Sequence, residues 1–155
     1  MDAYRARRIA EHAHGGGRDR FGEPTIDHVR RVVASVSAAA RSAAWLHDVL
    51  EATGLSRSEL RRAGASDLEL AAIELLTRDG DDSRYLEHVS SIALTPGRAG
   101  DLAREVKRAD LTDRIAQSHR FTACVGAPPY EAALALLDPE ARHAHPMQAM
   151  RPGGG

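Results

Sequence analysis

A chain of 155 residues suits one compact domain with a real core, and a formal net charge of -1 excludes a global basic field that would draw it to nucleic acid or anionic lipid. A single cysteine, Cys124, excludes a disulfide framework and points to a reducing compartment. The charged start "MDAYRARRIAEH" has no apolar h-region, and no apolar run approaches the roughly 20 residues of a membrane helix, so a soluble, cytoplasmic protein with no nucleic-acid or membrane partner is expected.

Alanine is abundant, aromatics are 4%, and β-branched residues are thin outside one short run, which predicts an all-α, compact helical bundle. Residues 3–14 read as a first helix, with Ala3, Ala6, Ile9, Ala10 and Ala13 as its apolar stripe. The glycines 15–17 stop it, and a loop runs to Pro24. Thr25 is the expected N-cap of a second helix, whose Ile26, Val29, Val32, Val33 and Val36 recur at helical spacing. A third helix, 39–52, is alanine-rich and closed by Gly54. Ser56 and Glu59 form a capping-box pattern for a short helix ended by Gly64. Asp67 is the expected cap of the next, through Leu76. "RDGDD" at 78–82 reads as a polar loop, and 83–94 as helix up to the Pro96-Gly97 breaker. A long helix follows from about 99 to 118. "GAPP" at 126–129 breaks the chain before a last helix, 130–137. Residues 1–138 are read as the domain and 139–155 as a disordered tail, whose His143 and His145 could bind metal adventitiously.

Several polar groups sit where these helices should be apolar. His28 lies four residues before Val32, at the edge of the buried stripe. His47 and Glu51 are one turn apart, with Asp48 beside them. Asp110 falls four residues after Val106 on the long helix. Any one of these alone is more often a hydrogen-bonded structural residue; together, His28, His47, Asp48 and Asp110 bring four metal-capable groups from three helices towards one interior. Imidazole nitrogen with carboxylate oxygen suits one borderline divalent ion: manganese first, with iron, cobalt, zinc or magnesium as alternatives. Such an ion can acidify water and offset phosphate charge. Glu51, one turn past His47, could accept or relay a proton.

The motifs resemble those of the HD-domain superfamily of metal-dependent phosphohydrolases, whose ligands follow the order H…HD…D. The closer likeness is to the hydrolase domain of RelA/SpoT-type enzymes and small alarmone hydrolases, which remove the 3′-pyrophosphate of (p)ppGpp. Their pattern "AH-x-G-x(4)-S-GEPYI-x-H" corresponds to "AHGGGRDRFGEPTIDH" here, "LLHDVIEDT" to "WLHDVLEAT", and "VKLAD" to "VKRAD". The likeness spans roughly residues 3–118. It implies metal ligation by His28, His47, Asp48 and Asp110, and catalytic roles for Glu51 and Asp48. It also implies a phosphorylated nucleotide as substrate, with Arg18, Arg20, Lys107 and Arg114 as candidate phosphate contacts; Lys107 is the only lysine in the chain.

The departures from that pattern are specific. The family's Glu-Asp pair is Glu51-Ala52. Asp19 stands at an arginine that stacks on guanine, where an acid is expected to repel phosphate. Phe21 stands at a serine, where it could offer a different stacking surface. Thr25 stands at a tyrosine and Arg114 at an asparagine, while Arg20 keeps a positive charge where lysine is usual. Two further readings follow: a nucleoside 5′-monophosphate phosphatase, which the single acid after His-Asp fits, and a catalytically degenerate, nucleotide-sensing module. The oligomeric state is left open.

Overall fold

The computed structural model describes residues 1–78, 80–121 and 128–138; Cys124 and the proposed tail, 139–155, lie outside them. The described residues are helical, with no strand, which is the all-α architecture expected. The helices run α1 (Ala3–Ala13), α2 (Thr25–Ala34), α3 (Arg41–Leu46), α4 (Val49–Ala52), α5 (Arg57–Arg62), α6 (Asp67–Leu76), α7 (Tyr85–Leu94), α8 (Gly97–Arg120) and α9 (Tyr130–Leu136), with a 3₁₀ turn at Asp82–Arg84 before α7. None is long and apolar enough to cross a membrane.

The long α8 is the axis of the molecule, and α2, α3, α6, α7 and α9 all pack against it. Its buried positions are Gly100, Ala103, Val106, Lys107, Ala109, Asp110, Leu111 and Gln117, a stripe at three- and four-residue spacing. Three members of that stripe are polar, so the core is built around them. The α1–α3 contact is made of small side chains: Ala6, Ala10, Ala43 and Ala44 are all solvent-inaccessible or nearly so, which lets the two backbones approach closely. The apolar weight lies in Leu46, Leu60, Leu70, Ile73, Ile92 and Leu111.

Helix ends follow local chemistry more than the expected boundaries. Pro24, not Thr25, precedes α2; Thr25 is the first helical residue and is buried. Ser66, not Asp67, caps α6: it accepts from the Glu69 N–H while Glu69 reaches back to the Ser66 N–H, the same reciprocal box that Ser56 and Glu59 make on α5. Gly97 begins α8 with φ of 82°, a conformation that disfavours any side chain. The expected third helix opens in the middle, at His47-Asp48, for a reason that belongs to the site.

Gly100 makes a sharp test of packing. A Cβ there would collide with the Thr95 backbone carbonyl, which cannot swing aside as a side-chain tip can. The helix propensity gained by alanine is about 1 kcal/mol, against about 3 kcal/mol for overpacking. Gly100→Ala is expected to lower unfolding free energy by about 2 kcal/mol in urea titration; an unchanged or more stable variant contradicts the packing described.

Candidate metal centre and its cavity

The opening of the third helix begins with His47. Its Nδ1 lies 2.8 Å from the Ala44 carbonyl oxygen. A carbonyl only accepts, so Nδ1 carries the proton and Nε2 of the neutral ring carries the lone pair. The ring thereby takes the carbonyl that the next turn of α3 would have used. The chain keeps helical dihedrals through His47 and Asp48 and resumes its ladder at α4, with the Asp48 carbonyl accepting from the Ala52 N–H.

His28 is oriented in the same way by a carboxylate. It is fully buried on α2, and its Nδ1 lies 2.7 Å from Oδ2 of Asp113 on α8. Asp113 is held as a carboxylate: burial alone would raise its pKa, but hydrogen bonds from His28 and Arg31 pull it down to about 2. Arg31 completes the arrangement, with Nε 2.6 Å from Oδ1 and Nη2 3.1 Å from Oδ2 of Asp113. In the neutral ring, an ionised acceptor at Nδ1 again leaves the lone pair on Nε2.

Both Nε2 atoms are buried and make no hydrogen bond. Both point at carboxylates. His28 Nε2 is 3.2 Å from Asp110 Oδ1 and 4.0 Å from Asp48 Oδ2; His47 Nε2 is 3.2 Å from Asp48 Oδ1. The two rings meet edge to face, 5.5 Å between centroids. One ligand atom from each of His28, His47 and Asp48 falls within 4.8 Å of the others, the spacing a shared cation requires. Two imidazole nitrogens facing carboxylates are a donor set that could hold a divalent cation. Asp48 titrates below its ordinary value: burial opposes this, and the neighbouring His47 and His28 outweigh it. Asp110 is held well below its ordinary value, chiefly by Lys107 against the cost of burial. For His28, burial disfavours the imidazolium, but Asp110 and Asp113 outweigh it and the pKa moves up.

His47, Asp48 and Asp110 form one wall of a cavity of about 200 Å³, lined also by Arg18, Asp19, Arg20, Thr25, Glu51, Ala52, Arg78, Tyr85, Lys107, Arg114 and Tyr130; fully buried His28 is not among the lining residues. The candidate phosphate contacts all reach it, on different terms. Lys107 is buried and donates to Asp110 Oδ2 at 2.8 Å, with its Nζ 5.4 Å from the Tyr85 ring centroid. Burial disfavours its charge, yet Asp110 raises its pKa, so it stays an ammonium. Arg18 donates to the Gly22 carbonyl at 2.6 Å, and Arg20 lies 3.5 Å from Asp82. Glu51 is in the same wall, with Oε1 3.0 Å from Arg78 Nη2 and Oε2 3.2 Å from the Arg78 backbone N–H. Arg78 also binds Asp82 and lies over the Tyr85 ring. In the sequence it appeared only as the first residue of the "RDGDD" loop, just after α6.

Two of the departures from the family pattern turn out to be a single feature. Arg114 Nη1 donates to Asp19 Oδ2 at 2.9 Å and to Gln117 Oε1 at 3.2 Å. The other Asp19 oxygen accepts the backbone N–H groups of Phe21 and Glu23. Asp19 is therefore neutralised and saturated, and the expected repulsion of phosphate does not arise from it. Phe21 packs on Phe121, 6.1 Å between centroids, and is not among the residues that line the cavity. Fully buried Gln117 ties the loop down further, donating to Asp19 and Glu23, and Glu23 in turn accepts from Arg31. A third imidazole was also missed: His14, at the C-terminal end of α1, is buried with Nε2 unpartnered. Burial pushes its pKa down, opposed by nearby Asp48.

No family model matches the chain, and no curated protein matches it significantly.

Asp113 has a signature separable from packing. Its pKa is depressed from 3.8 to about 2 in the folded state, so its stabilising contribution is full above about pH 5 and is lost as pH falls through 3.8 towards 2. Asp113→Asn is expected to cost about 2 kcal/mol at pH 7, and the gap from the parent should close across that acidic window in urea titrations. A gap that is independent of pH contradicts the assignment.

Proposed function

We propose that this chain is a metal-dependent phosphohydrolase, acting on (p)ppGpp or a similarly phosphorylated nucleotide. One observation carries the reading. Two buried imidazoles are each committed through Nδ1–H, and both free Nε2 atoms face the Asp48 and Asp110 carboxylates. The resemblance to HD-domain phosphohydrolases supplies the same four residues in the same order, and the cavity beside them carries the cations that a phosphate ester needs.

His28, His47, Asp48 and Asp110 would hold one divalent ion, manganese first among the candidates. When bound, that ion supplies acidified water and positive charge beside the phosphate. The remaining work falls to the chain. Lys107, Arg114 and Arg78 stand where charge accumulates on the phosphoryl oxygens, in a site of low dielectric where fixed cations act strongly. Arg18 and Arg20, on the loop before α2, meet the outer phosphate. Glu51 receives the proton of the attacking water, and Arg78 fixes the direction of its carboxylate. In the alarmone reading the new bond forms between water oxygen and the phosphorus on the ribose 3′-oxygen. The P–O3′ bond breaks, pyrophosphate leaves, and the proton returns to the 3′-oxygen.

A 5′-monophosphate phosphatase is the second reading, favoured by Ala52. That methyl group lines the cavity where the alarmone hydrolases carry a second acid.

The test is a phosphate- and pyrophosphate-release screen on Mn²⁺-loaded protein, with ppGpp and a panel of nucleoside 5′-monophosphates. Turnover of one class is expected, with a loss of at least about 100-fold in His47→Ala and Asp48→Ala. Full activity and full metal content in both variants would place the chemistry elsewhere. Nucleotide binding without turnover, unchanged by Mn²⁺, would make the chain a sensing module.

A further inference from the structure

Arg114 occupies an unusual place for a phosphate contact. Its Nη2 is 3.7 Å from Asp48 Oδ2 and its Nε is 3.6 Å from Asp110 Oδ1. Those are the same two oxygens that lie nearest His28 Nε2, at 4.0 and 3.2 Å. The guanidinium thus shares the carboxylate oxygens a cation would take. It is also held there: Asp19 and Gln117 bind Nη1, and its side chain is only 15% exposed. Lys107 meets Asp110 on the opposite oxygen and leaves Oδ1 to the shared space.

We infer that Arg114 is a resident counter-ion of the Asp48–Asp110 pair, one that weakens cation binding until an anionic phosphoryl group lies beside it. The inference rests on the metal-site reading above and adds a regulation to it. Asp19 offsets part of the Arg114 charge from the far side, but the guanidinium lies nearer the ligand oxygens and repels an incoming divalent ion through a low-dielectric interior, where such repulsion is poorly screened. It also spends part of each carboxylate's charge before the ion arrives. An anion between the two cations removes the repulsion, so phosphate and metal each raise the other's affinity. Metal retention then depends on substrate.

The experiment is calorimetric titration of the full chain with Mn²⁺ alone, for the parent, Arg114→Gln, Arg114→Met and Arg114→Lys. Circular dichroism establishes which variants are folded; Gln keeps hydrogen bonding, and Met stands in for it if Gln does not fold. The charge-free variant is expected to bind Mn²⁺ at least about tenfold more tightly than the parent, while Lys, which keeps the charge, stays near it. Repeating the titration with methylphosphonate should tighten Mn²⁺ binding more in the parent than in the charge-free variant. Unchanged or weaker Mn²⁺ binding on loss of the charge overturns the inference. A separate control isolates the underlying reading: if His47→Ala binds Mn²⁺ as well as the parent does, the metal site itself is wrong and the counter-ion falls with it.

Discussion

Everything around the cavity depends on how two imidazoles are turned. A histidine ring offers its lone pair to a ligand only if its other nitrogen has a proton and somewhere to put it. Here one ring is turned by a backbone carbonyl and the other by a carboxylate. His47 spends the Ala44 carbonyl, and α3 ends early because of it. His28 spends Asp113, which is itself secured by Arg31. The helix is interrupted at His47 and Asp48, and the partly buried Asp113 is held as a carboxylate, where the two rings are oriented.

The second consequence is a continuous polar circuit through the core. From His28 it passes to Asp113, Arg31 and Glu23. Through Gln117 and Asp19 it reaches Arg114, and Arg114 closes it on Asp110, 3.2 Å from His28. From His28 Nδ1 round to Arg114 each link pairs an acid with a donor; only the last step, from Asp110 to His28 Nε2, does not. The circuit also joins the loop before α2 to α8. Arg18 and Arg20, the proposed phosphate contacts, sit on that same loop.

The sequence made the helices legible because their apolar periodicity is strong and their breakers are glycine and proline. His28, His47, Asp48 and Asp110 were legible for a different reason: His28 and Asp110 fall at or on apolar stripes, His47 and Asp48 interrupt an apolar helix, and their order resembles an H…HD…D ligand pattern. Asp113 and Arg31 were not, since an aspartate and an arginine on exposed-looking helix positions read as solvated charge. Only packing α2 against α8 shows that they meet. The Asp19–Arg114 pair spans 95 positions of the chain, and each member alone looked like a defect in a nucleotide pocket. Their compensation is a three-dimensional fact that no spacing rule reaches. The split at His47 was hidden too, because it comes from a side chain competing for a backbone carbonyl inside an alanine-rich stretch with good helix propensity.

The central claim is that the two Nε2 atoms and the two aspartates share one cation. Crystals grown with Mn²⁺ and measured at its absorption edge test it directly. The account predicts one anomalous peak within coordination distance of His28 Nε2, His47 Nε2, Asp48 and Asp110. A peak elsewhere, or none while both nitrogens stay unshared, would contradict it.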